Sequence, residues 1–93
     1  LKMGKKYFVR TDYKVEGKKV TSEDFNDHLN YLKNIAEQTE FYGGGFINNP
    51  GGMIIFIAKD LLEAKKVAEG DPLIVRGLYK YELVEWEIVL SSH

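Results

Sequence analysis

Cysteine is missing from this 93-residue chain. Its absence excludes disulfides, thiolate nucleophiles and cysteine-bound zinc, and it suits a reducing compartment, so a cytoplasmic location is expected. Proline occurs only at Pro50 and Pro72, leaving few points where the backbone is forced to break. Histidine occurs only at His28 and His93, and neither lies in a cluster of carboxylates; no metal is expected, and no cofactor. Charge of one sign is lacking too, since 13 lysines and arginines face 14 aspartates and glutamates for a net charge of −1. Without a basic field to hold a phosphate backbone, nucleic acid is not an expected partner. Long apolar runs are also lacking. Met53-Ile54-Ile55-Phe56-Ile57-Ala58 is far short of the about 20 residues that span a bilayer, so no membrane partner is expected. No charged-then-apolar leader precedes the first strand. Leu1 and Lys2 read as an addition ahead of a native start at Met3, and His93 as a terminal or tag residue.

What is present fits an ordinary globular protein, with 44% hydrophobic and 29% charged residues. The length leaves room for one core, and a single domain is expected over residues 3–90. Tyr7, Phe8, Val9, Thr11 and Tyr13 favour a strand from Lys5 to Tyr13. Thr21, followed three residues later by Asp24, resembles a capping box. Behind it Phe25, Leu29, Leu32 and Ala36 recur at helical spacing, with His28 and Ile35 on the flanks, predicting a helix from Ser22 to Gln38. Phe41-Tyr42 and Phe46-Ile47 bracket Gly43-Gly44-Gly45. Asn49-Pro50-Gly51 then places proline and glycine as a type II turn requires, and Met53 to Ile57 follows as the second arm of a hairpin. Asp60, with Glu63 three residues on, caps a second helix whose inner face carries Leu61, Ala64 and Ala68, with Gly70 as its C′ residue. Pro72 stops it at Asp71. Residues 73–77 form a turn-like connection, and Leu78 to Leu90 a final strand. There the apolar phase shifts from Tyr79, Tyr81 and Leu83 to Trp86, Ile88 and Leu90, implying a bulge near Val84-Glu85.

The order strand, helix, hairpin, helix, strand is βαββαβ, the α+β ferredoxin-like arrangement with both helices on one face of an antiparallel sheet. The other face should then alternate toward polar residues, yet Met53 to Ile57 is apolar on both sides, as is Tyr7-Phe8-Val9. A second copy covering that face, a homodimer of dimeric α/β-barrel type, is the simplest solution. The loop over residues 16–21 or the C-terminal tail folding over it is the alternative.

Few residues are equipped for chemistry. By spacing alone His28 reads as a side chain at the border of the buried stripe, and Asp71 as a turn acceptor before proline. Paired, they are an imidazole whose tautomer a carboxylate fixes, a usable general acid or base. Gly43-Gly44-Gly45 is not a phosphate loop, because no helix N-terminus and no Lys-Ser/Thr follow it. It reads as a bend in the strand or a place where a ligand approaches the backbone.

The ordered set His28-Leu29-Asn30-Tyr31-Leu32, Gly43-Gly44-Gly45-Phe46, Gly51-Gly52-Met53, Ala64, Asp71-Pro72, Gly77-Leu78 and Trp86-Glu87 resembles the YCII-related (YciI-like) family from about Tyr7 to Val89. The resemblance implies a dimeric ferredoxin-like α/β barrel and a pocket with a His–Asp pair, carried here by His28 and Asp71. Arg10, Gly44, Gly45, Phe46 and Pro72 are the expected substrate-binding residues around it. The family commonly has Arg three residues before the histidine, where this chain has Phe25, and Pro after the paired glycines, where it has Gly45. Arg10 or Arg76 is a candidate for the missing anion anchor, Arg76 being as readily a salt-bridged surface residue. The functional expectation is a cofactor-independent lyase or isomerase for a small, acidic organic molecule. A non-catalytic dimeric binding or regulatory module using the same pocket is the alternative.

Overall fold

The computed structural model describes residues Gly4 to Ser92; Leu1, Lys2, Met3 and His93, and the expectations attached to them, lie outside that range. The elements are β1 (Lys6–Lys14), α1 (Ser22–Ala36), β2 (Phe41–Gly45), β3 (Gly52–Ala58), α2 (Leu61–Glu69), α3 (Pro72–Val75) and β4 (Tyr79–Trp86). The strands form one antiparallel sheet in the order β2-β3-β1-β4, the ferredoxin-like arrangement expected. No helix among the described residues is long and apolar enough to cross a membrane.

Local chemistry sets the boundaries. The capping box at α1 forms as read: Thr21 Oγ1 accepts from Asp24 N–H at 3.0 Å, and Asp24 Oδ2 accepts from Thr21 N–H at 3.0 Å. α2 has only half of that arrangement: Glu63 N–H donates to Asp60 Oδ1, while the Glu63 carboxylate accepts from Lys59 N–H, one residue before the cap, rather than from Asp60 N–H. Gly51 has a φ of +92°, as the third position of a type II turn demands. A Cβ there would also lie 2.3 Å from the Asp12 carbonyl oxygen. Gly51→Ala is therefore expected to lower stability by about 1–3 kcal/mol, read from chemical denaturation. No loss would show that the turn relaxes freely.

Several details depart from the sequence reading, among them Leu61, expected on the inner face of α2 but exposed. α1 ends at Ala36 rather than Gln38, and residues 72–75 form a short helix rather than a plain turn. Gly70 ends α2 in a right-handed conformation, φ −88°, so it is not a left-handed cap. It is glycine because a Cβ would sit 2.5 Å from the hydroxyl of Tyr31, which donates to Val67 O at 2.8 Å. β4 carries no bulge: its register with β1 is continuous from Tyr79↔Lys14 to Trp86↔Tyr7. Trp86 simply belongs with Lys80, Glu82 and Val84 on the face opposite the helices, and Ile88 and Leu90 lie beyond the strand.

The core lies between the helices and one sheet face, where Phe8, Ile54, Phe56 and Ala58 meet Leu32 and Ala64. The opposite face presents Val9, Ile55 and Ile57 in its middle and Tyr42, Met53, Val84 and Trp86 toward the margins, these four exposed. Residues after β4 run beside it, Ile88 and Leu90 bordering a groove with Tyr7, Ile55 and Trp86.

Candidate functional site

The site grows from an irregularity in β1. Alternation along this central strand turns Phe8, Arg10 and Asp12 toward the helices. A guanidinium at 1% exposure inside so small a core is tolerable only with counter-charges and filled hydrogen bonds. Both are present. Arg10 Nε donates to Asp12 Oδ1 at 2.7 Å and Nη2 to Asp12 Oδ2 at 3.0 Å, while Nη2 also donates to Asp71 Oδ2 at 2.8 Å.

Asp71 is placed by the break between α2 and α3. The residue before a proline avoids helical geometry, and Asp71 is extended, φ −68° and ψ 128°. From there it caps α3, Oδ1 accepting the Leu73 N–H at 3.0 Å, while Pro72 opens the helix at a position that needs no donor. His28, on the inner side of α1, brings Nδ1 to 2.9 and 2.8 Å from the two Asp71 oxygens. The Phe25 ring lies against the imidazole at a centroid distance of 5.5 Å. Four residues from three parts of the chain thus form one chain of contacts: Asp12, Arg10, Asp71, His28.

The electrostatics fix the protonation pattern. Burial is the largest influence on Asp71 and pushes its carboxyl up. The hydrogen bonds from His28 and Arg10, the guanidinium charge and the Leu73 N–H together outweigh it and hold the group below the usual carboxylate value. Asp12 goes the other way, its burial exceeding what Arg10 returns, so its carboxyl is raised. Burial likewise works against the Arg10 charge, but the two carboxylates overcome it. With Asp71 an anion it can only accept, so the proton of the neutral imidazole sits on Nδ1 and Nε2 is the basic nitrogen.

Every buried side-chain nitrogen and oxygen among the described residues has a hydrogen-bond partner. His28 Nε2 has no protein partner among them and is therefore the accessible nitrogen. His28 and Asp12 line a cavity of about 240 Å³ between α1 and the β2–β3 side of the sheet. Its walls are mostly apolar, with Phe25, Leu29 and Leu32 from α1 and Ile54 from β3. The helical stripe is consequently turned from the sequence expectation: His28 and Leu32 are buried, while Phe25 and Leu29 are 46% and 48% exposed because they face this space rather than the core. Gly44 and Gly45 form the β2 wall, and a Cβ at Gly45 would meet only Gly51 O, at 3.8 Å. Crowding does not impose glycine at Gly45; its effect is to leave the wall bare.

The expected pair His28 and Asp71 is thus brought into contact across 43 residues of sequence. Arg10 stands behind Asp71, off the cavity wall and engaged with two carboxylates. Phe46 lies past the end of β2, its N–H donating to Gly51 O at 3.0 Å, and Pro72 opens α3; neither borders the cavity. Arg76 is a surface residue, bridging Asp24 and Asp27 at 2.8 and 2.9 Å and tying α3 to the first turns of α1. Asp12 was not among the expected site residues. The signal for it was available: two charged residues two apart, on the same side of a central strand as Phe8, point inward and must neutralise each other.

A search of curated proteins returns no match. Among solved structures the fold is similar to that of 5-chloro-2-hydroxyhydroquinone dehydrochlorinase (TftG) from Burkholderia phenoliruptrix AC1100, determined in complex with 2,5-dihydroxybenzoquinone. The TM-score is 0.74 at 21% identity, covering 87% of this chain and 93% of that one, a likeness of fold. The family model for the YCII-related domain matches residues 6–87, from the start of β1 to just past the end of β4. On that match the chain belongs to the YCII-related family.

Proposed function

We propose that the chain is a cofactor-independent enzyme acting on a small organic acid in the cytoplasm, with His28 as general acid or base and Asp71 as the group that orients it. The observation that carries this reading is a buried, charge-clamped carboxylate holding Nδ1, while Nε2 is left free at an apolar cavity. Such a nitrogen suits removal of a proton from carbon next to a carbonyl. Nε2 takes the proton, the C–H pair moves toward the carbonyl, and it then either re-forms a C–H bond elsewhere or expels a leaving group with its electrons. The second outcome is an elimination, the class to which the structural neighbour's dehydrochlorination belongs. The test is a product screen of the wild-type chain and His28→Ala on hydroxymuconate-like and keto acids. Turnover that survives the substitution unchanged would remove His28 from the mechanism. Ligand-induced thermal stabilisation without product would instead make the chain a binding module.

The same reading includes a second copy of the chain on the open sheet face. Tyr42, Met53, Val84 and Trp86 are exposed around an apolar centre, and covering each large side chain is worth about 1.5–3 kcal/mol. A stable pairing needs about 800 Å² from each copy, which a four-stranded face can offer. Sedimentation at micromolar concentration is expected to give twice the chain mass, and Trp86→Glu is expected to shift the population to single chains. A wild-type chain that sediments as a single subunit would refute the pairing.

A further inference from the structure

The cavity has two electrically different ends. At the first, Arg10, Asp12 and Asp71 sum to one negative charge when His28 is neutral, and Asp12 is itself part of the wall. An anionic group placed beside Nε2 would meet that charge in a poorly solvated space. At the second stands Lys33, the one lysine or arginine side chain among the described wall residues. It follows His28 by five residues on α1, which carries its Cα about 7.5 Å further along the helix axis. Lys33 forms no ion pair or side-chain hydrogen bond among the described residues, and its neighbours on the wall, Leu29, Ala36 and Phe41, are apolar. Its stem can lie on that apolar surface with the ammonium at the mouth.

The two arginines open to consideration are already committed, Arg10 to Asp12 and Asp71 and Arg76 to Asp24 and Asp27. We propose that Lys33 is the anion-recognising residue of the cavity, and that the ligand is a small organic anion bound in one orientation, its charged end at Lys33 and its neutral, proton-bearing end at His28. The inference deepens the reading above and rests on the same cavity. The cavity of about 240 Å³ has room for a body about the size of one six-membered ring. A lysine in the last turn of a helix also complements the helix dipole, a role that predicts no effect on any ligand.

The experiment measures binding of benzoate and of benzamide, its uncharged counterpart of the same shape, to the full chain by titration calorimetry. The wild type is expected to prefer benzoate by about tenfold, as for a charged hydrogen bond at a partly screened site. Lys33→Met, which keeps the stem and removes the charge, should abolish the preference, and Lys33→Arg should keep most of it. Because Lys33 is exposed, the three proteins should fold alike, Lys33→Met losing only the small contribution of its charge to the helix dipole. Equal affinity for both probes in the wild type, a preference that persists in Lys33→Met, or binding of neither at millimolar concentration would each overturn the proposal. The two readings fail separately: benzoate held through Lys33 by a chain that turns over nothing removes the enzymatic role and keeps the anchor. Turnover lost in His28→Ala but indifferent to Lys33→Met does the reverse.

Discussion

Arg10→Met is expected to cost about 3–5 kcal/mol of folding stability, the effect of removing one partner from a fully buried ion pair. Methionine matches much of the stem, so the loss arises from the two anions left behind. Asp71 is wholly buried and would keep only the His28 and Leu73 contacts, while Asp12 would lose both of its hydrogen bonds to the guanidinium. Single domains have about 5–15 kcal/mol in total, so the variant should unfold at a far lower urea concentration or fail to fold. Arg10→Lys should recover little, because one ammonium cannot serve two carboxylates in the geometry of the planar fork. A loss under about 1 kcal/mol would mean that desolvation of the guanidinium had already cancelled its attraction. The pH dependence carries the same signature. Asp71 is held below its unfolded value, so it adds stability above the ordinary carboxylate range and surrenders it as pH falls through its lowered value. Asp12 is raised, so its contribution has the opposite sign: stability declines as pH rises from the ordinary carboxylate range through its raised value.

The largest effect on chemistry is expected from His28→Ala, a loss of about 10²–10⁴ in kcat/KM on any substrate whose proton Nε2 removes. The carboxylate clamp survives that change, since Asp71 keeps Arg10 and the Leu73 N–H, so the fold should persist and the loss can be assigned to the imidazole. Asp71→Asn should reduce turnover while leaving the ring in place, because an amide no longer dictates which imidazole nitrogen carries the proton. If kcat falls in both variants while KM holds, the pair acts in the transition state. If only KM moves, the histidine binds ligand and performs no proton transfer.

Much of this arrangement is legible in the chain, and the reason differs by element. The helix starts could be read because Thr21 with Asp24 is a local reciprocal cap and Asp60 accepts from Glu63 N–H three residues on, neither needing a distant partner. The double-sided apolar strands could be read from the loss of alternation at residues 53–57. The expected β4 bulge is absent because the change of apolar phase at Trp86 needs no extra residue: an apolar residue on the outer face looks, in sequence, like a residue that has changed sides. Gly70 was misread for a related reason, since a close approach by Tyr31 and a left-handed cap select the same residue. The contact between His28 and Asp71 joins residues far apart in sequence and was suggested by family resemblance rather than by spacing. Arg10 carried the least readable role. The spacing Phe8, Arg10, Asp12 puts the guanidinium and one carboxylate on one side of the strand, but only the fold shows that it serves as the common counter-ion of two acids.

The two rims of the sheet are not alike. β2, on one rim, spans five residues and ends in three glycines, offering an incoming strand a short ladder with almost nothing to grip. β4, on the other, spans eight residues but carries Lys80, Glu82 and Glu85, whose charges an added strand would have to accommodate. Lateral growth into ribbons or fibres is therefore discouraged at both margins by different means, so that greasy surface on one broad side does not condemn the chain to runaway stacking.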